Sequence, residues 1–120
     1  METRIGAVVI GTRYKPVATR LDVAVDRYIR ARNLSRGTRD EYGSTVRKWN
    51  AWGKDMPLEE LQRKDIREFL DWVYERAVSS EGSNPGRTAN KARENLRAVM
   101  SWAWEQDLIE SLPRFPEIRP

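Results

Sequence analysis

The stretch Asn84–Asp107, NPGRTANKARENLRAVMSWAWEQD, constrains the fold more than any other, because its spacing fits one long amphipathic helix. Ser83 or Asn84 can accept hydrogen bonds from the unpaired N–H groups of a helix start, and Pro85 suits the first turn. Apolar residues recur at Ala92, Leu96, Val99 and Ala103, in steps of four, three and four, which is one face of a 3.6-residue helix. Arg87, Asn90, Lys91, Glu94 and Arg97 fall mostly on the opposite face. Such a helix must bury its stripe against other elements. Its cationic side suits a surface that reads DNA and equally an ordinary solvated face.

The rest of the chain supplies helical partners. A first helix is expected over about Thr19–Arg32, with Leu21, Val25, Tyr28 and Ile29 as its apolar stripe and Asn33-Leu34 as its break. Ser35 then opens a second, with Thr38, Tyr42, Val46, Trp49 and Trp52 toward the core and Gly53 as its stop. Arg36, Arg39, Gly43 and Arg47 line another face of it. Gly43 costs roughly 1 kcal/mol against Ala in a helix interior; close approach of a backbone and simple tolerance both account for it. After a turn at Met56-Pro57-Leu58, a third helix is expected over Arg63–Val78. Ile66, Phe69, Leu70, Val73 and Ala77 form its stripe, and Asp65, Glu68, Asp71 and Glu75 give it an acidic outer face. The fourth helix should end near Asp107, with Leu108 and Ile109 covering the base of the core.

The ends read differently. Residues 1–18 are expected to form an extended arm carrying Arg4, Arg13 and Lys15, with at most a short strand at Ile5–Ile10. Residues 111–120, with three prolines in ten positions, read as an extended linker toward a further domain. The expected architecture is an all-α domain of four to five helices over residues 19–110.

Composition narrows the chemistry. The chain has no cysteine, which excludes disulfides and thiolate metal sites. It has no histidine, which removes the commonest general base and the Ser-His-Asp and Cys-His constellations. Its glycines are scattered and form no phosphate loop. No catalytic residue, metal site or cofactor is therefore expected. There is no 18-residue apolar run and no signal-peptide pattern, so no membrane partner and a cytoplasmic setting are expected. The net charge is +4, and its distribution is segmental. Residues 36–52 and 84–106 each hold four cations and two anions, whereas residues 53–83 hold five cations and eight anions. Folded, the chain can offer a basic face with an acidic back.

Several short segments, taken in order, carry a family resemblance. They are Tyr28-Ile29; Leu34-Ser35-Arg36-Gly37-Thr38 followed by Tyr42; Pro57-Leu58-Glu59-Glu60-Leu61 with Asp65-Ile66 and Phe69-Leu70; Ser83-Asn84-Pro85-Gly86-Arg87-Thr88-Ala89-Asn90; and Leu96, Met100, Ala103 and Leu108-Ile109 closing on Leu112-Pro113. Together they resemble the SAM-like, core-binding N-terminal domain of tyrosine recombinases and phage integrases. The resemblance implies half of a clamp on duplex DNA at the crossover site, with helices two and four meeting the major groove and adjacent backbone. Carried onto matching positions, it nominates Arg36, Thr38, Arg39, Arg87, Thr88, Asn90 and Lys91 as DNA contacts, and Arg47, Arg93 and Arg97 as second-rank candidates. The spacing of Thr38 to Tyr42 sets it toward the core side.

The implied partners are double-stranded DNA, the catalytic domain of the same parent chain and other recombinase protomers. Trp72 and Trp102 are candidates for docking one of the last two. The family cuts DNA with a separate domain bearing Arg, Lys, His and a nucleophilic Tyr. Here there is no His, and Tyr14, Tyr28, Tyr42 and Tyr74 lie in the arm or on helices. This chain alone is expected to bind DNA without cleaving it. A stand-alone DNA-binding regulator derived from a truncated integrase and a helical protein–protein module remain the alternatives.

Overall fold

A computed structural model of the protein describes residues 19–80, 82 and 84–118, so the arm expected over 1–18 lies outside it. Four α-helices and one 3-10 turn make up the described regular structure: α1 (Leu21–Arg32), α2 (Arg36–Trp52), the turn Leu58–Glu60, α3 (Arg63–Val78) and α4 (Pro85–Glu105). The expected all-α class is what forms. No described helix is long and apolar enough to cross a membrane.

The helix ends follow local chemistry. Asn84 caps α4 by accepting from the Arg87 N–H at 3.1 Å, with Pro85 in the first turn. α4 stops slightly before the expected Asp107, because Asp107 adopts a left-handed backbone (φ 61°) and Leu108 N–H turns back to the Ala103 carbonyl at 2.9 Å. That reversal buries Ile109. α3 spans the residues its periodicity predicts; the Gln62 N–H donates to Asp65 Oδ2 at 2.9 Å, fixing its start. Ser35 caps α2 through the Thr38 N–H at 3.4 Å, and Gly53 (φ 84°) closes it.

α1 begins at Leu21 and not at the expected Thr19. Thr19 is engaged elsewhere: its N–H reaches Glu59 Oε1 at 2.9 Å and its hydroxyl reaches Glu59 Oε2 at 2.6 Å. Its carbonyl in turn accepts from the Leu58 N–H at 2.9 Å. The entry to α1 is therefore tied to the connection between α2 and α3.

The core lies between α3 and α4, the most extensively paired helices, with α1 and α2 packed on α4. Ile66, Phe69, Leu96, Val99, Met100 and Ala103 are completely buried; each large side chain among them stabilises the fold by roughly 1.5–3 kcal/mol. Aromatic rings close it at two places. Trp49 and Phe69 meet edge-to-face at 4.9 Å with Trp52 alongside, and Tyr28 packs on Tyr42 at 5.4 Å and on Trp102 at 5.8 Å. Trp102 is thus a core residue, which corrects its nomination as a docking tryptophan; Trp104, one turn-edge further, is the one 48% exposed. Trp72 is half-buried beneath the Arg76 guanidinium, 4.8 Å above its ring.

The segment after α4 has no regular structure, but it is not a free linker over its described part. Residues 111–118 fold back along the helices: Pro116 is fully buried, Phe115 and Ile118 pack against the core, and the Arg93 Nε–H donates to the Pro116 carbonyl at 2.6 Å. Proline richness set the local extended geometry, while apolar Phe115 and Ile118 supply the reason to dock.

Candidate nucleic-acid interface

α2 and α4 are joined by a buried polar pair. Asn95 of α4, 6% exposed, donates through Nδ2 to Thr45 Oγ1 of α2 at 3.0 Å and lies 3.4 Å from the Glu41 carbonyl. The Thr45 hydroxyl also reaches that carbonyl at 3.4 Å. Apolar stripes slide readily; a directional amide-to-hydroxyl bond fixes the register of the two helices.

Above this link the helices leave a groove of about 240 Å³, lined by Glu41, Ser44, Thr45, Lys48, Arg87, Thr88, Lys91 and Ala92. The groove gathers Arg87, Thr88 and Lys91 from the expected set and adds Ser44 and Lys48, which the reading of the sequence passed over. The signal was present: Ser44 and Lys48, like Arg87 and Lys91, are four residues apart and share a helix face. Lys91 Nζ stands 3.7 Å from Glu41 Oε1 across the groove, with both side chains about half exposed. Lys48 Nζ donates to Ser44 Oγ at 2.7 Å. Burial, and then the nearby Arg47 charge, hold the Lys48 amine below its ordinary pKa, so its charge is underscreened by water.

Other expected residues lie elsewhere. Arg36, Arg39 and Arg47 are exposed on α2 and do not line the groove. The Arg47 guanidinium lies over Gly43: a Cβ there would meet only Arg47 Nη1, at 3.6 Å. No backbone approaches Gly43, so of its two explanations tolerance is the one observed. Thr38 is half-buried and its Oγ1 accepts from Ser35 Oγ at 3.1 Å, a helix-start role. Asn90 Nδ2 is engaged with Glu94 Oε2 at 3.1 Å on the outer face of α4. Arg97 is exposed, and Arg93 is turned to Pro116 on the far flank of α4.

A second depression, of about 520 Å³, continues from the first through Lys48 and Thr88 toward the C-terminal end of α3. Trp72, Val73, Arg76, Ala77, Ser79 and Ser80 complete its lining. α3 is thus not uniformly acidic outward. Glu68 and Asp71 face away, Glu68 within 3.6 Å of Lys54, but Arg76 turns to the basic side. Among the described residues no group of acidic side chains is arranged to hold a metal ion.

The family model described as phage integrase, N-terminal SAM-like domain, matches residues 23–110. The chain belongs to that family. The match covers all of α2, α3 and α4 and nearly all of α1, and with them both grooves of this SAM-like domain. No curated protein and no solved structure matches the chain.

Proposed function

We propose that this SAM-like domain binds duplex DNA as the holding half of a site-specific recombinase, and that strand cleavage is done by other residues than its own. The observation that carries the reading is the convergence of Lys48, Arg87 and Lys91 on one groove, held in register by Asn95. Cations at this spacing suit phosphates along a duplex backbone, and Ser44 and Thr88 add neutral donors. The starts of α2 and α4 add positive dipole ends, with the Thr38 and Arg87 N–H groups already capped by Ser35 and Asn84. The chain has no histidine for the family's cutting set, and the family model it matches is that of the N-terminal SAM-like domain.

Fluorescence anisotropy of a labelled duplex across a salt series tests this. Contact with roughly three to five phosphates gives a log–log slope of about −3 to −4.5. Replacing Arg39 and Lys91 together by Ala should weaken binding and flatten the slope by nearly two phosphates' worth. Melting should barely move, because the Lys91–Glu41 pair is half exposed and worth about 0–1 kcal/mol. Absence of duplex binding at low salt refutes the proposal and favours the protein–protein alternative. Full affinity in the double variant means another face is used.

A further inference from the structure

We infer that the DNA footprint extends past the α2–α4 groove onto the end of α3, where Lys48 and Arg76 hold a backbone phosphate in the larger depression. This rests on the duplex-binding reading and names an additional site within it. Three features of the depression point to a phosphodiester. Its lining holds two cations, Lys48 and Arg76, and no carboxylate, in contrast to the first groove with its Glu41. Three hydroxyls, from Ser79, Ser80 and Thr88, surround the same space. The Ser79 and Ser80 hydroxyls reach only the Glu75 and Arg76 carbonyls at 3.4 Å, bonds at the long limit that a phosphate oxygen readily replaces.

Arg76 is also set in advance. Its guanidinium rests 4.8 Å over the Trp72 ring, which limits its rotamers while leaving its N–H edge for an anion. Lys48 and Thr88 belong to both depressions, so a strand lying in the first groove is led into the second past a shared cation. Burial, and then the Arg47 charge, lower the proton affinity of Lys48, and a phosphate bound beside it would offset both. A protein partner would need acidic side chains aimed at the same two cations; a backbone entering from the neighbouring groove needs no added recognition.

The test compares the whole chain with Arg76→Gln, Arg76→Lys and Arg87→Gln on one labelled duplex across a salt series. Arg76→Gln should lower affinity by roughly five- to tenfold at low salt and reduce the steepness of the slope by about 0.9. Arg76→Lys should recover most of that slope, since it restores charge. Circular dichroism melting of each variant separates lost contact from lost fold. Loss of affinity in Arg87→Gln with no change in Arg76→Gln overturns the extended footprint and leaves the duplex-binding reading standing. Loss in Arg76→Gln that Arg76→Lys does not recover also overturns it, because it assigns the effect to packing on Trp72. If the unaltered chain fails to bind, both fall together.

Discussion

Asn95 is the side chain through which fold and groove are most directly coupled, and replacing it by Leu isolates that coupling. Leu keeps the branched, four-heavy-atom outline of Asn, so no cavity forms, and its bulkier methyls add packing strain to the loss of the amide. The 3.0 Å bond to Thr45 Oγ1 is lost, and with it the weaker approach to the Glu41 carbonyl at 3.4 Å. A neutral buried bond contributes about 0.5–1.5 kcal/mol net. The Thr45 hydroxyl retains its own 3.4 Å contact with Glu41, so little further desolvation is left uncompensated. The lost bonds alone destabilise by about 1–1.5 kcal/mol, and the packing strain adds to that. For a domain of this size the lost bonds correspond to roughly 4–12 °C in Tm.

Adding Thr45→Val removes the partner as well. Exchanging both groups for apolar ones of similar shape is close to neutral, so the double variant should recover part of the loss, with a coupling of about 1 kcal/mol. Urea unfolding of the four proteins, followed by tryptophan fluorescence, measures the cycle. Additive effects, or an Asn95→Leu variant within about 0.3 kcal/mol of the unaltered chain, refute the idea that this pair holds α2 against α4.

Two further outcomes follow from the fold. Burial, and then the neighbouring Tyr28 phenol, raise the Tyr42 phenol above its ordinary value near 10. The fold thus favours its neutral form, and that contribution is complete below about pH 10 and lost as pH rises through the folded value. Tyr42→Phe should leave neutral-pH stability nearly unchanged and make the alkaline decline shallower, as read from denaturant midpoints on either side of pH ~10; parallel profiles contradict this. Arg93→Ala should loosen residues 111–118, since it removes the 2.6 Å bond to the Pro116 carbonyl. Limited proteolysis should then cut there several-fold faster, by about the tenfold that 1.4 kcal/mol represents at most, with α4 left intact.

The helices were legible because each carries a stripe of the right period and a local stop signal. α3 shows this best: Ile66, Phe69, Leu70, Val73 and Ala77 are all buried as the spacing predicts. What escaped depends on contacts distant in sequence. Thr19 leaves α1 for Glu59, 40 residues away, and Asn95 finds Thr45 across 50. Neither partner is marked by any periodicity. Lys48 is hidden for a different reason: it lies on the edge of α2 that faces α4, and which edge faces α4 is a tertiary fact. A proline-rich tail reads as exposed by composition, yet Pro116 is buried, because Phe115 and Ile118 anchor it from both sides.

That returning tail has a mechanical meaning. A pull applied at Ile118 is met first by the seated Pro116 and its bond to Arg93, midway along α4, before it reaches the end of α4 through the backbone. These contacts yield one after another, as a peel, and doing so frees the eight residues 111–118, about 27 Å of chain at full extension. The backbone at the end of α4 comes under tension only when that slack is spent. The tail is a shock absorber laid along the bundle.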